Sequence, residues 1–424
     1  MFSSSNLSII RDGAMGEGMI HAYPAASLDQ HQKVAIMHLH RRLFSGFLSF
    51  ILPLVVGAAL PLSASFAESG VTDQKIILGQ SAAFSGPAAQ LGIQMNAGAK
   101  AYFDSVNEQG GVFGRQIEII KADDKYEADL AAANTKRLIE KDDVFALFGY
   151  VGTPTSNAAL PIFTQAGVPF FAPVTGAQSL REPLNRQVFN IRASYFDETE
   201  HLVEKLANVG IKNIAVFYQN DAYGRAGLEG VQRALKKMNL ELVEAATVER
   251  NSTDVKGAVS KILPKRPAAI IQISAYASCA AYIKEMRKAG YNGQFYNVSF
   301  VGSQALADAL GKDGEGVVIS QVVPFPWSSS TPVLAEYTKL MQKAGVKEPN
   351  FSSLEGFIAA KVFVEGLKRA GKDLTRAKLV KALETINMKN YNGGGFDVNF
   401  SGSNHSGSKF VEMTMITKDK KFLN

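Results

Sequence analysis

The chain is poor in the residue types that carry chemistry. Its 424 residues include one cysteine, one tryptophan and six histidines. A lone cysteine allows no internal disulfide, so the fold must be held by its apolar cores, which is feasible at this length. Cys279 sits in Ala277-Ser-Cys-Ala-Ala281 at an expected helix start and reads as a buried structural thiol. Four histidines (His21, His31, His38 and His40) precede residue 67, which leaves His201 and His405. His201 shares the polar face of an expected helix with Glu204, Lys205 and Asn208 and reads as a solvated surface residue. His405 falls in Ser401-Gly-Ser-Asn-His-Ser-Gly407, read as a flexible polar loop. Neither pairs convincingly with a serine, so a Ser-His-Asp triad is unsupported. No His/Cys cluster has zinc spacing. The segment from Gly79 to Gly92 is rich in glycine and follows the first strand, but it does not match G-x-G-x-x-G, and no Walker lysine follows. A dinucleotide enzyme is disfavoured, and neither cofactor nor metal is expected. Asp123-Asp124 could be an acid pair or a cation ligand. The better reading is a solvated loop or a helix-start charge.

What is present begins with a leader. Met37-His-Leu-His-Arg41-Arg42 is followed by the uncharged run Leu43 to Leu60 and by Leu62-Ser-Ala-Ser65-Phe66-Ala67. A basic start, an apolar core and small residues before a cut describe an export signal, with cleavage expected after Ala67. A retained anchor is the competing reading, because the run has 18 residues and a length of about that size can span a bilayer. Pro53, Gly46, Gly57 and the small-residue exit favour a removable signal. Residues 1–36 show no periodicity, and Met19 or Met37 is an alternative start. Without residues 1–67 the chain keeps 41 basic and 36 acidic residues, a net charge of +5. That charge is too mild and too dispersed to argue for nucleic acid. The remaining 357 residues suggest two domains on the usual scale of roughly 100–200 residues each.

Strands and helices alternate along this length. Strands are expected at 75–80, 116–122, 144–149 and 168–172, with helices at 93–107, 127–141 and 155–165 between them. The pattern restarts near Val188 to Arg192. Helices follow at 197–208, from Gly224, at 255–263 and at 279–288, with strands at 214–218, 242–248, 268–273 and 294–298. Such alternation specifies parallel sheets with helices on both faces. The expected architecture is α/β: two doubly wound parallel-sheet lobes joined by a multi-crossing hinge. Helices at 333–343, 352–369 and 376–386, the last behind a Thr375 cap, return to the first lobe. A strand at 410–416 rejoins the second, and Pro324-Phe-Pro326 marks one crossing. The first lobe is then 72–193 with 326–398, and the second is 194–325 with 399–424. A hinged pair of open sheets places a ligand cleft at the facing strand ends. Gly149-Tyr-Val-Gly-Thr-Pro-Thr-Ser156 joins a buried strand to a helix start, where free N–H groups and hydroxyls suit a carboxylate or amide. Simple capping explains Thr155 and Ser156 equally well, whereas Thr153 is better placed to face a ligand.

Five segments carry a resemblance. These are Ile77-Leu-Gly-Gln-Ser-Ala-Ala-Phe-Ser-Gly-Pro-Ala-Ala-Gln90, Asn107-Glu-Gln-Gly-Gly-Val-Phe-Gly-Arg-Gln116, Gly149 to Ser156, Phe171-Ala-Pro173, and Ile214-Ala-Val-Phe-Tyr-Gln-Asn-Asp-Ala-Tyr-Gly224. Together they resemble the leucine/isoleucine/valine-binding family of type I periplasmic solute-binding proteins, along essentially all of the chain after the leader. The resemblance implies a periplasmic, non-enzymatic receptor for an ABC permease and ATPase complex, with a small amino acid or organic carboxylate as ligand. A ligand-sensing module of a signalling system is the alternative. It also implies site residues. Thr153 matches the position whose hydroxyl meets the ligand carboxylate. Val174, Thr175, Gly176 and Ala177 match the segment that completes the clamp, with the family threonine shifted to Thr175. Leu91 matches the cover of the ligand side chain, and Tyr223 and Tyr276 match tyrosines of the second lobe. Phe300, in Asn297-Val-Ser-Phe-Val-Gly302, stands where amino-acid binders place an acid for the α-ammonium. Glu355 could substitute for that acid. An aromatic or other organic acid, or an amide, therefore rivals a branched-chain amino acid.

Overall fold

The computed structural model describes residues 68–346 and 348–424. The leader and its expected cut lie outside them. Five short strands form the first sheet: β1 (Lys75–Ala82), β2 (Gln116–Asp123), β3 (Ala146–Phe148), β4 (Phe170–Phe171) and β5 (Val188–Phe189). All are parallel, in the order β2-β1-β3-β4-β5. Helices α1 (Ala89–Glu108), α2 (Ala128–Glu140) and α3 (Thr153–Gln165) connect the first four. The residues of β3 and β4 are buried throughout, as strands covered on both faces require.

The chain then crosses to a second sheet. Its order of appearance is α4 (Tyr195–Asn208), β6 (Ile214–Gln219), α5 (Ala222–Lys237), β7 (Leu242–Val248), α6 (Lys256–Ile262), β8 (Ala269–Ile273), α7 (Tyr276–Lys288), β9 (Gln294–Asn297), α8 (Ser303–Leu310) and β10 (Val318–Gln321). Helices α9 (Pro332–Lys343), α10 (Phe351–Ala370) and α11 (Arg376–Leu383) go back to the first sheet, where α9 and α10 pack on α1 and α11 packs on α10. The final strands β11 (Glu412–Ile416) and β12 (Phe422–Leu423) complete the second sheet, in the order β12-β11-β10-β9-β8-β6-β7. β11 runs antiparallel to both β10 and β12. The chain thus passes between the two sheets three times.

Side-chain caps decide where several helices begin. Asp221 accepts from the N–H groups of Tyr223 and Gly224, so α5 starts at Ala222 rather than at Gly224. Ser194 and Asp197 form a reciprocal capping box at α4. The Thr375 hydroxyl accepts from Lys378 N–H at α11, as its sequence position predicts. α7 starts at Tyr276, which puts Cys279 within its first turn. There the thiol is fully buried against the Ser274 carbonyl and burial pushes its pKa up. Three elements lie where no periodicity is legible: α8, the four-residue β10 and the two-residue β12.

The return of α10 to the first lobe depends on backbone contact. A methyl on Gly98 in α1 would lie 1.7 Å from the Ser353 carbonyl oxygen, and one on Gly356 in α10 would lie 2.1 Å from that of Met95. Neither backbone can give way cheaply, so overpacking here costs about 1–3 kcal/mol or more. Gly98→Ala is expected to lower the melting temperature by several degrees in a circular-dichroism melt. Gly257→Ala, on α6 with open space around it, is the control and should be neutral or slightly stabilising. Equal melting of the two variants would contradict the close packing.

Candidate ligand-binding cleft

On the first lobe, the β3–α3 connection turns through Gly149 and Gly152, both at positive φ. No Cβ fits at Gly152, since it would lie 2.2 Å from Cε2 of Tyr126. α3 begins at Thr153, with Pro154 next, where a missing N–H costs nothing. The Thr153 hydroxyl is 2.7 Å from that of Thr175, and both residues are buried. Thr175 lies in the loop after β4, where its hydroxyl accepts from Ala177 N–H and Val174 N–H donates to the Tyr150 carbonyl. Gly176 presses on Tyr195, whose N–H donates to the Gly176 carbonyl. Thr155 turns inward, donating to the Val151 and Gly152 carbonyls. Ser156 is buried with a hydroxyl that finds no protein partner.

The second lobe faces this loop pair with aromatic rings. Phe300 sits in a one-turn helix, Ser299–Val301, and is 1% exposed. Its ring centroid is 4.6 Å from Tyr223 and 5.8 Å from Tyr126 of the first lobe. Tyr223 also packs on Tyr195, at 5.2 Å. The rings therefore run Tyr126, Phe300, Tyr223, Tyr195 across the join. Leu91 and Gly302 meet nearby, since a Cβ on Gly302 would lie 2.7 Å from Leu91 Cδ2 and 3.7 Å from Tyr276 Cδ1. Tyr276 is half-buried.

Charges are buried at the hinge. The guanidinium of Arg192 grips Glu355 of α10, Nε to Oε1 at 3.0 Å and Nη2 to Oε2 at 3.1 Å. Nη2 also donates to Ser299 Oγ at 2.8 Å. Glu198 of α4 accepts from Ser299 N–H, Ser299 Oγ and Ser320 Oγ. Burial pushes both carboxyls up, against the pull of Arg192. Glu355 is thus already paired, and it is Phe300 that stands among the cleft rings.

At the rim, a turn of the first lobe is held by the second. Lys125 and Tyr126 both take positive φ, an unusual pair for residues other than glycine. This turn brings the Tyr126 hydroxyl to Gln219 Nε2, which donates to it at 3.2 Å. Arg250 pairs with Glu127 at 2.9 Å, and Asn251 donates to Glu127 and to the Lys125 carbonyl.

Three sequence readings need correction. His405 is buried rather than in a loose loop. Residues 404–407 run beside β5, and the imidazole stacks on Phe189 at 3.8 Å with Nδ1 2.9 Å from the Val188 carbonyl. Asp124 is fully buried, bonded to Ser81 Oγ and Tyr126 N–H, while Asp123 orders Phe84, Ser85 and Lys125. His201 is only half-exposed on α4, and burial lowers its pKa. Among the described residues, no group of His, Cys, Asp and Glu could hold a metal ion. Tyr126, Tyr195, Gln219 and Arg192 escaped sequence reasoning. Only Tyr195 had a local signal, its place just after the Ser194 cap.

Two mainly parallel sheets, three crossings and a polar and aromatic wall shared between lobes define a two-lobed solute-binding protein. The family profile described as periplasmic binding protein matches residues 75–421. The chain belongs to that family, in its type I leucine/isoleucine/valine-binding branch, whose members bind solutes and are not enzymes. It is 25% identical to a "Leu/Ile/Val-binding protein homolog 7" of Brucella melitensis over 82% of this chain and 92% of that one. A solved structure of a possible leucine/isoleucine/valine-binding protein from Rhodopirellula baltica is 34% identical, with TM-score 0.79, over 83% of this chain and 97% of that one. A substrate-binding periplasmic protein from Ralstonia solanacearum is 31% identical, with TM-score 0.77, over 82% and 99%. The family is periplasmic, and no helix among the described residues is long and apolar enough to cross a membrane.

The rim contacts make a prediction about the ligand-free protein. Arg250→Met and Glu127→Gln should each widen the distance between spin labels at Lys136→Cys and Lys256→Cys, both exposed. The ion pair is partly exposed, so the expected effect is roughly 0.2–1 kcal/mol, a modest shift in population. Pulsed EPR distances unchanged in both variants would contradict a cross-lobe role.

Asp124 makes a prediction about pH. Burial raises its pKa to about 7, against the hydrogen bonds from Ser81 and Tyr126. An unfolded aspartate releases its proton near pH ~4. The folded state therefore holds a proton that the unfolded state has lost, and this contribution to stability declines as pH rises from about 4 to about 7. Asp124→Asn should flatten melting temperature against pH over that window. An unchanged slope would count against a neutral Asp124.

Proposed function

We propose that this chain is the receptor of an ABC importer and captures a small carboxylate with an aromatic or other apolar body between two closing lobes. The observation that carries this reading is that the buried acids beside the cleft are already engaged. Glu355 is paired with Arg192, and Glu198 is held by Ser299 and Ser320. Asp124 is bonded to Ser81. Asp221 caps α5 and lies 3.5 Å from Arg250. Phe300 occupies the cleft position where an acid would be needed. An α-ammonium enclosed there would lack a counter-charge, at a cost on the order of several kcal/mol. The names of the relatives point to branched-chain amino acids, whereas these residues favour an acid without the amine.

In this reading Thr153, Thr175 and the 174–177 loop take the carboxylate on the first lobe, and Leu91 covers the body of the ligand. Tyr223, Tyr276 and Phe300 close from the second lobe. The moving bodies are 72–193 with 326–398 and 194–325 with 399–424. Closure is favoured only by contacts that differ between open and closed forms, and the closed form docks on the permease. Export removes residues 1–67.

Calorimetric titration with leucine and with 4-methylpentanoate, its counterpart lacking the amine, tests the ligand class. Tighter binding of 4-methylpentanoate is expected, and tighter binding of leucine would overturn the reading. Thr153→Val should weaken carboxylate binding by about 10- to 150-fold, the loss of roughly 1.5–3 kcal/mol from a hydrogen bond to a charged group. Normal melting with unchanged affinity would place the carboxylate elsewhere. Sequencing of the secreted protein should begin at or near Glu68, and a retained leader would rule out a soluble receptor.

A further inference from the structure

Buried polar atoms are almost always hydrogen-bonded, and each exception asks for a reason. Three exceptions lie together at the hinge side of the cleft. The hydroxyls of Tyr195 and Tyr223 and Nη1 of Arg192 are all buried and have no hydrogen-bond partner in the protein. Tyr195 and Tyr223 pack ring on ring. Arg192 is three residues before Tyr195 on the same crossing segment, and both tyrosines lie close enough to Arg192 to influence its charge. The Thr175 side chain lies within hydrogen-bonding range of the Tyr195 hydroxyl, too poorly aligned to satisfy it, and is itself 2.7 Å from Thr153. The backbone is fixed here as well, by the Tyr195 N–H to Gly176 carbonyl bond of 2.8 Å.

We propose that Tyr195 is a further ligand-binding residue, its hydroxyl donating to the same carboxylate that Thr153 and Thr175 approach, with Tyr223 completing the set beside Arg192. The inference rests on the carboxylate reading of the cleft. It adds a residue of the hinge itself to the ligand contacts. Tyr195 is the first residue of α4 and lies where the chain passes from one lobe to the other. A ligand held by it would bear directly on the segment that bends. Arg192 lies beside the spot, its charge shared between Glu355 and Glu198.

The test is Tyr195→Phe, which removes one oxygen and keeps the ring. Two readouts separate the proposal from the general reading of the site. In the ligand-free protein, a hydroxyl kept for a ligand contributes nothing to folding, so the melting temperature should stay the same or rise. A clear fall would show that the hydroxyl is bonded within the protein and would overturn the proposal whatever the ligand is. Calorimetric titration with 4-methylpentanoate should then show affinity lower by about 10-fold or more, as for other hydrogen bonds to a charged group. Unchanged affinity would also overturn it. If the unsubstituted protein binds no carboxylate, the reading of the cleft fails together with this proposal, whereas a Tyr195→Phe failure alone leaves that reading standing. Tyr223→Phe is the second variant, with the same two expectations.

Discussion

One desolvated ion pair organises the space between the lobes. Arg192 comes from a crossing segment, Glu355 from a helix that has returned to the first lobe, and Ser299 from the second lobe. The guanidinium joins all three. Burying such a group gives little net stability, but removing one partner leaves an uncompensated charge and typically costs about 3–5 kcal/mol. The arrangement therefore constrains more than it stabilises. It holds Ser299 in place, and with it the turn that carries Phe300. It also engages Glu355, the acid best placed to serve the cleft. In the proposed reading, hydroxyls and ring faces are left for a ligand, since Glu355 and Glu198 are both engaged.

The contacts between lobes fall into three groups with different physics. The hinge pair is buried and charged. The ring series from Tyr126 to Tyr195 is apolar, with tilted pairs; favourable aromatic pairs add about 0.5–1.5 kcal/mol beyond burial. The rim contacts of Arg250, Asn251 and Gln219 are polar and partly wet. The rim sets how readily the lobes meet, and that scales the apparent affinity for every ligand alike.

Much of the architecture was legible because alternation is a long-range pattern. Strands such as Val144–Gly149 and Ala268–Ile273 are apolar runs between polar helices, and they appear in the structure within two residues of their expected ends. The elements α8, β10 and β12 were not read from the sequence; α8 has no side-chain cap to announce it, and β12 is only two residues long. On the first lobe the turn Gly149–Thr153 is a local signal, whereas Val174–Ala177 was named only through the resemblance; the structure brings the hydroxyls of Thr153 and Thr175 together. It was poorly legible elsewhere. Tyr126 reaches the cleft through two successive left-handed residues, and no composition rule foretells that. Glu355 and Arg192 lie 163 positions apart, so nothing local could pair them. His405 looked like a loop residue because its neighbours are small and polar, yet it closes over β5.

The most direct measurement is to identify what the protein carries from the cell. Protein purified without added ligand is examined by native mass spectrometry, then denatured, and the released small molecule is identified. A released carboxylic acid with an apolar or aromatic body and no α-amine is the predicted result. A released branched-chain amino acid would contradict the claim that Phe300 and the engaged acids Glu198 and Glu355 leave an ammonium without a partner.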